Sequence, residues 1–332
     1  MDKITLLGID LAKQVFQLHG VDGAGKPVVR RQVKRVELLS VLRQMSPCSV
    51  AMEACGGAHH WGRQFREMGH EVRLIAPQFV KPYVKGNKND RNDAAAICEA
   101  AQRPQMRFVS LKTVEQQQVL ALHRLRQGVV KTRTALANQL RGLMAEFGVV
   151  APLGRVALRT LLATHIGTEQ SALPALLRSE LARQLARFDE LDAEVKRLTS
   201  TLERLAREND RTSRLMERRG VGPLIASAFA AEVGDPSVFH NGRQVSAWLG
   251  LVPRQHSSGG KPRLLGISKR GDAYLRTLLI HGARAVVRTA GGHDDPLSQW
   301  VHALAVRRGV HKATVAVANK MARQMWAELA HA

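Results

Sequence analysis

The sequence predicts an α/β N-terminal domain, then long helices of coiled-coil character, then a mainly α C-terminal domain. Three observations carry that expectation. Short apolar runs alternate with helical patterns over the first hundred residues, a heptad-like apolar seam runs through residues 180–209, and glycine-punctuated amphipathic segments fill the rest. A chain of 332 residues, 45% of them apolar, can build more than one sizeable core.

The N-terminal elements follow in order. An apolar run over residues 4–9 ends at Asp10, and runs over 15–21 and 27–33 flank the turn Asp22-Gly-Ala-Gly25, which predicts a hairpin. Residues 36–45 place Leu38, Leu39, Val41 and Leu42 at helical spacing, and a compact strand over 49–52 ends at Glu53. A helix over 61–68, a strand over 71–75 stopped by Pro77, and an alanine-rich helix over 92–101 broken by Pro104 complete the set. Three strands, a helix, a strand, a helix, a strand and a helix is the order of a ribonuclease-H-like fold.

Residues 113–147 read as one long helix. Val119, Leu122, Leu125, Val129, Leu136, Leu140 and Leu143 form its apolar stripe, and Arg124, Arg126, Lys131, Arg133 and Arg141 crowd its polar side with almost no acid. So one-sided a charge suits a phosphate backbone. In the next long helix Leu181, Leu185, Phe188, Leu191, Val195, Leu198, Leu202 and Leu205 recur at steps close to a heptad. An antiparallel hairpin with the preceding helix and a homo-oligomeric coiled coil both satisfy that seam.

Charge sharpens the division. The chain carries 50 Lys and Arg against 28 Asp and Glu, a net charge of +22, which points to a polyanionic partner, nucleic acid above all. The excess is +7 over residues 1–110, +6 over 111–160, zero over 161–253 and +9 over 254–332. Two nucleic-acid-facing modules joined by a neutral element fit this distribution. No apolar run reaches the roughly 18–20 residues of a membrane span, and no signal-peptide pattern opens the chain, so a cytoplasmic protein is expected. The cysteines Cys48, Cys55 and Cys98 form no CxxC pair, which argues against a zinc ribbon or a disulfide scaffold.

The sharpest chemical constellation is acidic. Asp10 ends the first strand in Gly8-Ile-Asp10-Leu-Ala-Lys13, and Glu53 ends a later one in Met52-Glu53-Ala54. Asp90 and Asp93 share one face at the start of a helix through their i,i+3 spacing. A ribonuclease-H-like sheet would bring these four carboxylates together. Their repulsion then calls for hard cations, Mg²⁺ first, able to activate a hydroxyl and stabilise a leaving oxygen in phosphodiester cleavage. Taken singly, Asp10 is also a turn residue, and Asp90 or Asp93 also a helix N-cap.

Two further segments suit phosphate. Gly220-Val-Gly222 between helical patterns has the form of a helix–hairpin–helix turn, whose backbone N–H groups can cradle a phosphate. Pro253-Arg254-Gln-His256-Ser257-Ser258-Gly-Gly-Lys261 and Ser268-Lys269-Arg270-Gly271 read as loops rich in small residues, with Arg254, Lys261, Arg263, Lys269 and Arg270 placed to clamp phosphates. Ser257 or Ser258 is a possible nucleophile there, although most loop serines are only turn residues. Trp61, Trp248, Trp300 and Trp326 are expected in cores, and His59 and His60 lack metal-ligand partners at helical spacing.

These pieces, in this order, resemble the DEDD transposases of the insertion sequence 110 family, which includes the Piv-type invertases. The likeness runs through Gly8-Ile-Asp10, Met52-Glu53-Ala-Cys-Gly56, Lys88-Asn-Asp90-Arg-Asn-Asp93, Gly220-Val-Gly222, Leu249-Gly-Leu-Val-Pro253-Arg254, Ser258-Gly259 and Ser268-Lys-Arg-Gly271 with Leu275-Arg276. The stretch around Asp90 looks most like the insertion sequence 1111 branch. The resemblance implies a RuvC-like domain over residues 1–110 with Asp10, Glu53, Asp90 and Asp93 as a Mg²⁺-binding catalytic tetrad. It implies a coiled coil over 111–210 supporting dimers or tetramers, and a C-terminal transposase domain over 211–332 with an essential serine. Alignment puts that serine at Ser258, with Ser257 one residue away. Element and target DNA and a non-coding bridge RNA are the partners it implies. A RuvC-like junction nuclease using water in place of serine, and a non-catalytic DNA-binding protein, are the rival expectations.

Overall fold

The fold is that of a computed structural model, which describes residues 4–84 and 90–331; the side chains of Asp90 and Arg91 lie outside the described residues. The chain divides into two units, residues 1–116 with 233–240, and residues 117–232 with 241–332.

In the first unit, β1 (Leu6–Asp10) is buried on both faces, and a strand apolar on both sides must lie inside a sheet. It pairs antiparallel with β2 (Val15–Val21), which pairs antiparallel with β3 (Pro27–Lys34). After α1 (Leu38–Arg43), β4 (Ser49–Glu53) returns parallel to β1, with Ile9 beside Met52. Then α2 (Ala58–Glu67) leads to β5 (Glu71–Ile75), parallel to β4. The short α3 (Pro77–Val80), α4 (Asp90–Ala101) and β6 (Phe108–Val109) complete a six-stranded mixed sheet ordered β3-β2-β1-β4-β5-β6. This is the α/β arrangement the sequence predicts.

The sheet has a core on each face. Leu7, Ile9, Phe16 and Met52 pack with Leu38 and Leu42 of α1 and with Trp61 and Phe65 of α2. Leu6, Val21, Ala51 and Ile75 pack with Ala96, Ile97 and Cys98 of α4. Alternation along each strand therefore sends α1 and α2 to one side and α4 to the other. Residues 233–240 fold with this unit: the Asp235 N–H donates to Ser110 Oγ at 3.2 Å, and a Cβ on Gly234 would stand 3.0 Å from that same oxygen.

The second unit is mainly helical. It contains most of α5 (Val114–Ala145), then α6 (Arg155–Ile166), α7 (Ala175–Arg207), α8 (Asp210–Met216), α9 (Pro223–Val233) and α10 (Gly242–Trp248). A hairpin of β7 (Pro253–Gln255) and β8 (Leu264–Ile267) precedes α11 (Ala273–Thr289), α12 (Pro296–Arg308) and α13 (Val310–Ala330). The heptad seam of α7 closes within the chain: Leu181 and Phe188 pack with Leu136, Leu140 and Met144 of α5 and with Leu158 and Leu162 of α6. Arg133 meets Asp192 and Arg126 meets Thr199, so numbers rise on α7 as they fall on α5, and the two helices run antiparallel. Within the chain, the seam is used in an intramolecular antiparallel hairpin.

Candidate active site and nucleic-acid interface

Asp10 and Glu53 end adjacent parallel strands on the same edge of the sheet, one residue beyond the Ile9–Met52 pair. Both are half-buried. Cys55 reports their proximity, because burial and then the negative charges of Glu53 and Asp10 push its thiol upward. Helix α4 approaches through Gly8, where a Cβ would stand 2.5 Å from the Ala94 carbonyl oxygen and 2.8 Å from Cys98 Sγ. Only a residue without a side chain lets the helix lie this close. Asp93 directly precedes Ala94 and is therefore carried to the strand bearing Asp10. The fourth acid, Asp90, has its side chain outside the described residues. Among the described residues no group of three or more metal-binding side chains is assembled.

The carboxylate pair still suits a divalent metal. Mg²⁺ is commonly held by one or two carboxylates, with water and substrate phosphate oxygens completing its shell, rather than by an all-protein cage. Two hard oxygen donors on neighbouring strand ends fit that description.

The second unit presents its serines on a hairpin. Gly259 and Gly260 have φ of +53° and +73°, as a type I′ turn requires, and Lys261 N–H donates to the Ser258 carbonyl at 3.0 Å. The segment read from sequence as a loop rich in small residues is thus a defined turn. Ser257 is committed to it: its hydroxyl accepts from the Arg263 N–H at 3.2 Å and pairs with Gln255 Nε2 at 3.1 Å. Ser258 is exposed, and its hydroxyl makes no hydrogen bond among the described residues.

The Lys269–Arg270 loop, which follows β8, is pinned to the segment that enters β7. Gly250 and Gly271 have positive φ, and a Cβ on either would collide with backbone, at 2.2 Å from the Arg270 oxygen and 2.0 Å from the Trp248 oxygen. Arg276 donates from Nη1 to the Leu249 and Arg270 carbonyls at 3.1 and 3.2 Å, clamping both loops. Sequence reasoning noted Arg276 only within a motif; its structural work requires the fold. Lys269 itself is held at φ +54°, unusual for a side-chain-bearing residue, by its N–H bond to the Gly250 carbonyl. Arg254, Lys261, Lys269 and Arg270 are all exposed.

The basic side of α5 divides. Lys131 is exposed, while Arg124 pairs with Asp272, the N-cap of α11, at 2.9 Å. Arg126 donates to Thr199 Oγ1 at 2.7 Å. Arg133 corrects the expectation of a phosphate contact: it is buried, with Nη1 2.6 Å from Asp192 Oδ1. A helix face opposite a carboxylate-bearing neighbour draws its cations inward.

Gly220 likewise has an internal role. It has φ +83°, and its Cβ would meet Val286 at 2.5 Å and the Gly282 oxygen at 3.0 Å, so it seats α11 against the turn. Nothing lies within 4 Å of a Cβ on Gly222. Among the described residues no helix is long and apolar enough to cross a membrane.

Comparison with known proteins bears on this geometry. A model of the DEDD transposases of the IS110 group, described as a transposase, matches residues 7–148, and one described as the transposase IS116/IS110/IS902 family matches residues 212–298. A probable family 20 transposase of Pseudomonas aeruginosa is 54% identical over 98% of this chain and 97% of its own. The transposase for insertion sequence element IS1111A of Coxiella burnetii is 48% identical over 99% and 90%, and that for IS1328 of Yersinia enterocolitica 39% over 98% and 97%. The chain is a DNA transposase and belongs to the IS110 family of DEDD transposases.

Proposed function

We propose that this transposase excises and inserts its element by cutting and rejoining DNA strands through a covalent serine intermediate, with Asp10, Glu53, Asp90 and Asp93 as ligands for Mg²⁺. The observation that carries this reading is the placement of Asp10 and Glu53 on adjacent parallel strand ends, with α4 drawn against them through Gly8. When bound, the metal supplies positive charge to the scissile phosphate and to the departing oxygen.

Ser258 Oγ gives up its proton to solvent and attacks phosphorus: an Oγ–P bond forms, the P–O bond to the departing strand breaks, and that oxygen takes up a proton in turn and leaves as a hydroxyl, with no net change in protons. One phosphodiester is exchanged for another, so the reverse attack by a strand hydroxyl rejoins DNA without an external energy source. The division of labour on the hairpin favours Ser258 over Ser257, whose hydroxyl is occupied by Gln255 and Arg263. Lys261, Lys269, Arg270 and Arg254 hold the flanking phosphates and contribute most of the salt-dependent affinity. The exposed Lys131 adds a further cation for phosphate, and Arg124 does so where DNA displaces it from Asp272. The family likeness extends the proposal to a bridge RNA that selects element and target DNA, to a homo-oligomeric assembly, and to action in the cytoplasm.

Trapping decides the matter. Incubating protein with Mg²⁺ and element-end DNA, then denaturing, yields a protein–DNA adduct from wild type and none from Ser258→Ala. An adduct that survives in Ser258→Ala refutes the serine assignment, and cleavage without any adduct in wild type favours a junction nuclease acting through water.

A further inference from the structure

A groove of about 820 Å³ in the second unit lies along α13 and has no part in the chemistry above. Two indoles, Trp300 and Trp326, line it with three cations, Lys312, Lys320 and Arg323, and no lining residue is acidic. Both tryptophans are half-buried, against the expectation that they are core residues. The Lys320 ammonium stands 4.6 Å from the Trp300 ring centroid, so cation and ring are already held together. Flat aromatic faces beside cations, without carboxylates, match the two halves of a nucleotide, a base to stack and a phosphate to neutralise. An acidic peptide would use the cations and leave the indoles idle, and an apolar helix would leave three charges to be desolvated.

The groove also continues into the serine hairpin. Pro253 and Ile267, the paired residues at the open end of β7 and β8, form part of its wall. Asn319 in its lining donates from Nδ2 to the Leu251 carbonyl at 3.1 Å, tying α13 to the segment that enters β7. Five residues at about 3.3 Å each separate Pro253 from Ser258, so the groove mouth lies roughly 17 Å along the hairpin from the serine. That is a few nucleotides of strand.

We propose that the groove along α13 is a site for an unpaired nucleobase of the DNA strand being cut, stacked on Trp300 and Trp326 and neutralised by Lys312, Lys320 and Arg323. The site holds that strand a short distance from Ser258 and favours single-stranded or distorted DNA over regular duplex, whose bases are already stacked. The inference rests on the strand-cutting reading above.

The test uses the full chain with dT12, a twelve-base-pair duplex and rU12 as probes. We expect dT12 to quench tryptophan emission of the wild type, and Trp300→Leu or Trp326→Leu to lose most of that quench. Each of these variants weakens dT12 about fivefold or more while duplex affinity changes less than twofold. The exposed pair Lys312→Ala with Arg323→Ala, which leaves the core untouched, weakens dT12 as well and serves if a tryptophan variant does not fold. Binding of dT12 without quenching overturns the site, as does equal weakening of dT12 and duplex. Tighter binding of rU12 than dT12 assigns the groove to RNA and overturns the proposal. A change of oligomeric state in Trp300→Leu with unaltered dT12 affinity overturns it in favour of a second copy of the chain. If the wild type forms the Ser258 adduct while groove variants bind like wild type, only the groove assignment fails; if no adduct forms, the strand-cutting reading fails first.

Discussion

Gly8 lies directly against Ala94: a Cβ on Gly8 would stand 2.5 Å from the Ala94 carbonyl oxygen, so strand and helix touch backbone to side-chain position. Two residues along β1 is Asp10, and one residue back along α4 is Asp93. Gly8→Ala must push the helix away, because the obstructing atom is backbone and cannot rotate aside. Overpacking of this kind costs about 1–3 kcal/mol. We expect a folded variant with a lower melting temperature and strand cleavage reduced at least tenfold, since ligand geometry tolerates little displacement. Thermal melts beside a cleavage assay check it, and full cleavage by a stably folded Gly8→Ala would show that the position of α4 is unimportant.

The strand ends were legible in the sequence because buried strands announce themselves as apolar runs, and Asp10 and Glu53 interrupt two of them. The serine hairpin was not, since β7 and β8 are largely exposed and carry no period-two pattern. Arg133 shows a different limit. Its neighbours on α5 have the same charge, and only the antiparallel return of α7 reveals which cation faces Asp192. Gly220 was read as a phosphate-binding glycine from its local motif, while its contact with Gly282, sixty-two residues on, is tertiary.

Arg133 and Lys131 should therefore separate stability from binding. Arg133 is the buried cation of a cluster in which Asp192 also pairs with Arg155 and Lys196, so Arg133→Ala loses packing and a charge-assisted hydrogen bond and is expected to cost about 2 kcal/mol in urea unfolding. The exposed Lys131→Ala should unfold like wild type and reduce the salt dependence of DNA binding by about one phosphate contact. Unchanged stability in Arg133→Ala, or a changed one in Lys131→Ala, contradicts the division.

Ser257 and Ser258 predict opposite phenotypes one residue apart. Ser257→Ala removes an acceptor for the Arg263 N–H and a partner for Gln255, loosening the hairpin without touching the proposed nucleophile. It should still form the covalent adduct, several-fold more slowly, whereas Ser258→Ala should form none and keep DNA affinity within about twofold. The rates of adduct formation on denaturing gels decide this, and an adduct lost equally in both variants would leave the assignment without support.

His123 gives the second unit an acid-sensitive centre. It is buried, with Nδ1 2.9 Å from the Tyr274 hydroxyl and Nε2 3.1 Å from Ser227 Oγ. The Ser227 hydroxyl donates to the Pro223 carbonyl at 2.7 Å, so it accepts from His123, which fixes the proton on Nε2 and makes Tyr274 the donor to Nδ1. Burial, with Arg126 adding to it, lowers the His123 pKa from 6.5 to about 4. The folded state therefore binds fewer protons than the unfolded state between those values. Stability is full above pH 6.5 and falls as pH drops toward 4, by about 3 kcal/mol from this residue. His59, also lowered to about 4 by burial and then by Lys112 and Arg63, acts in the same direction in the first unit. His123→Phe should be less stable than wild type at pH 7.5, because Tyr274 loses its acceptor, and the two proteins should converge as pH falls to 5. Urea midpoints at pH 7.5, 6 and 5 measure the convergence; parallel lines would mean that His123 is not held neutral by the fold.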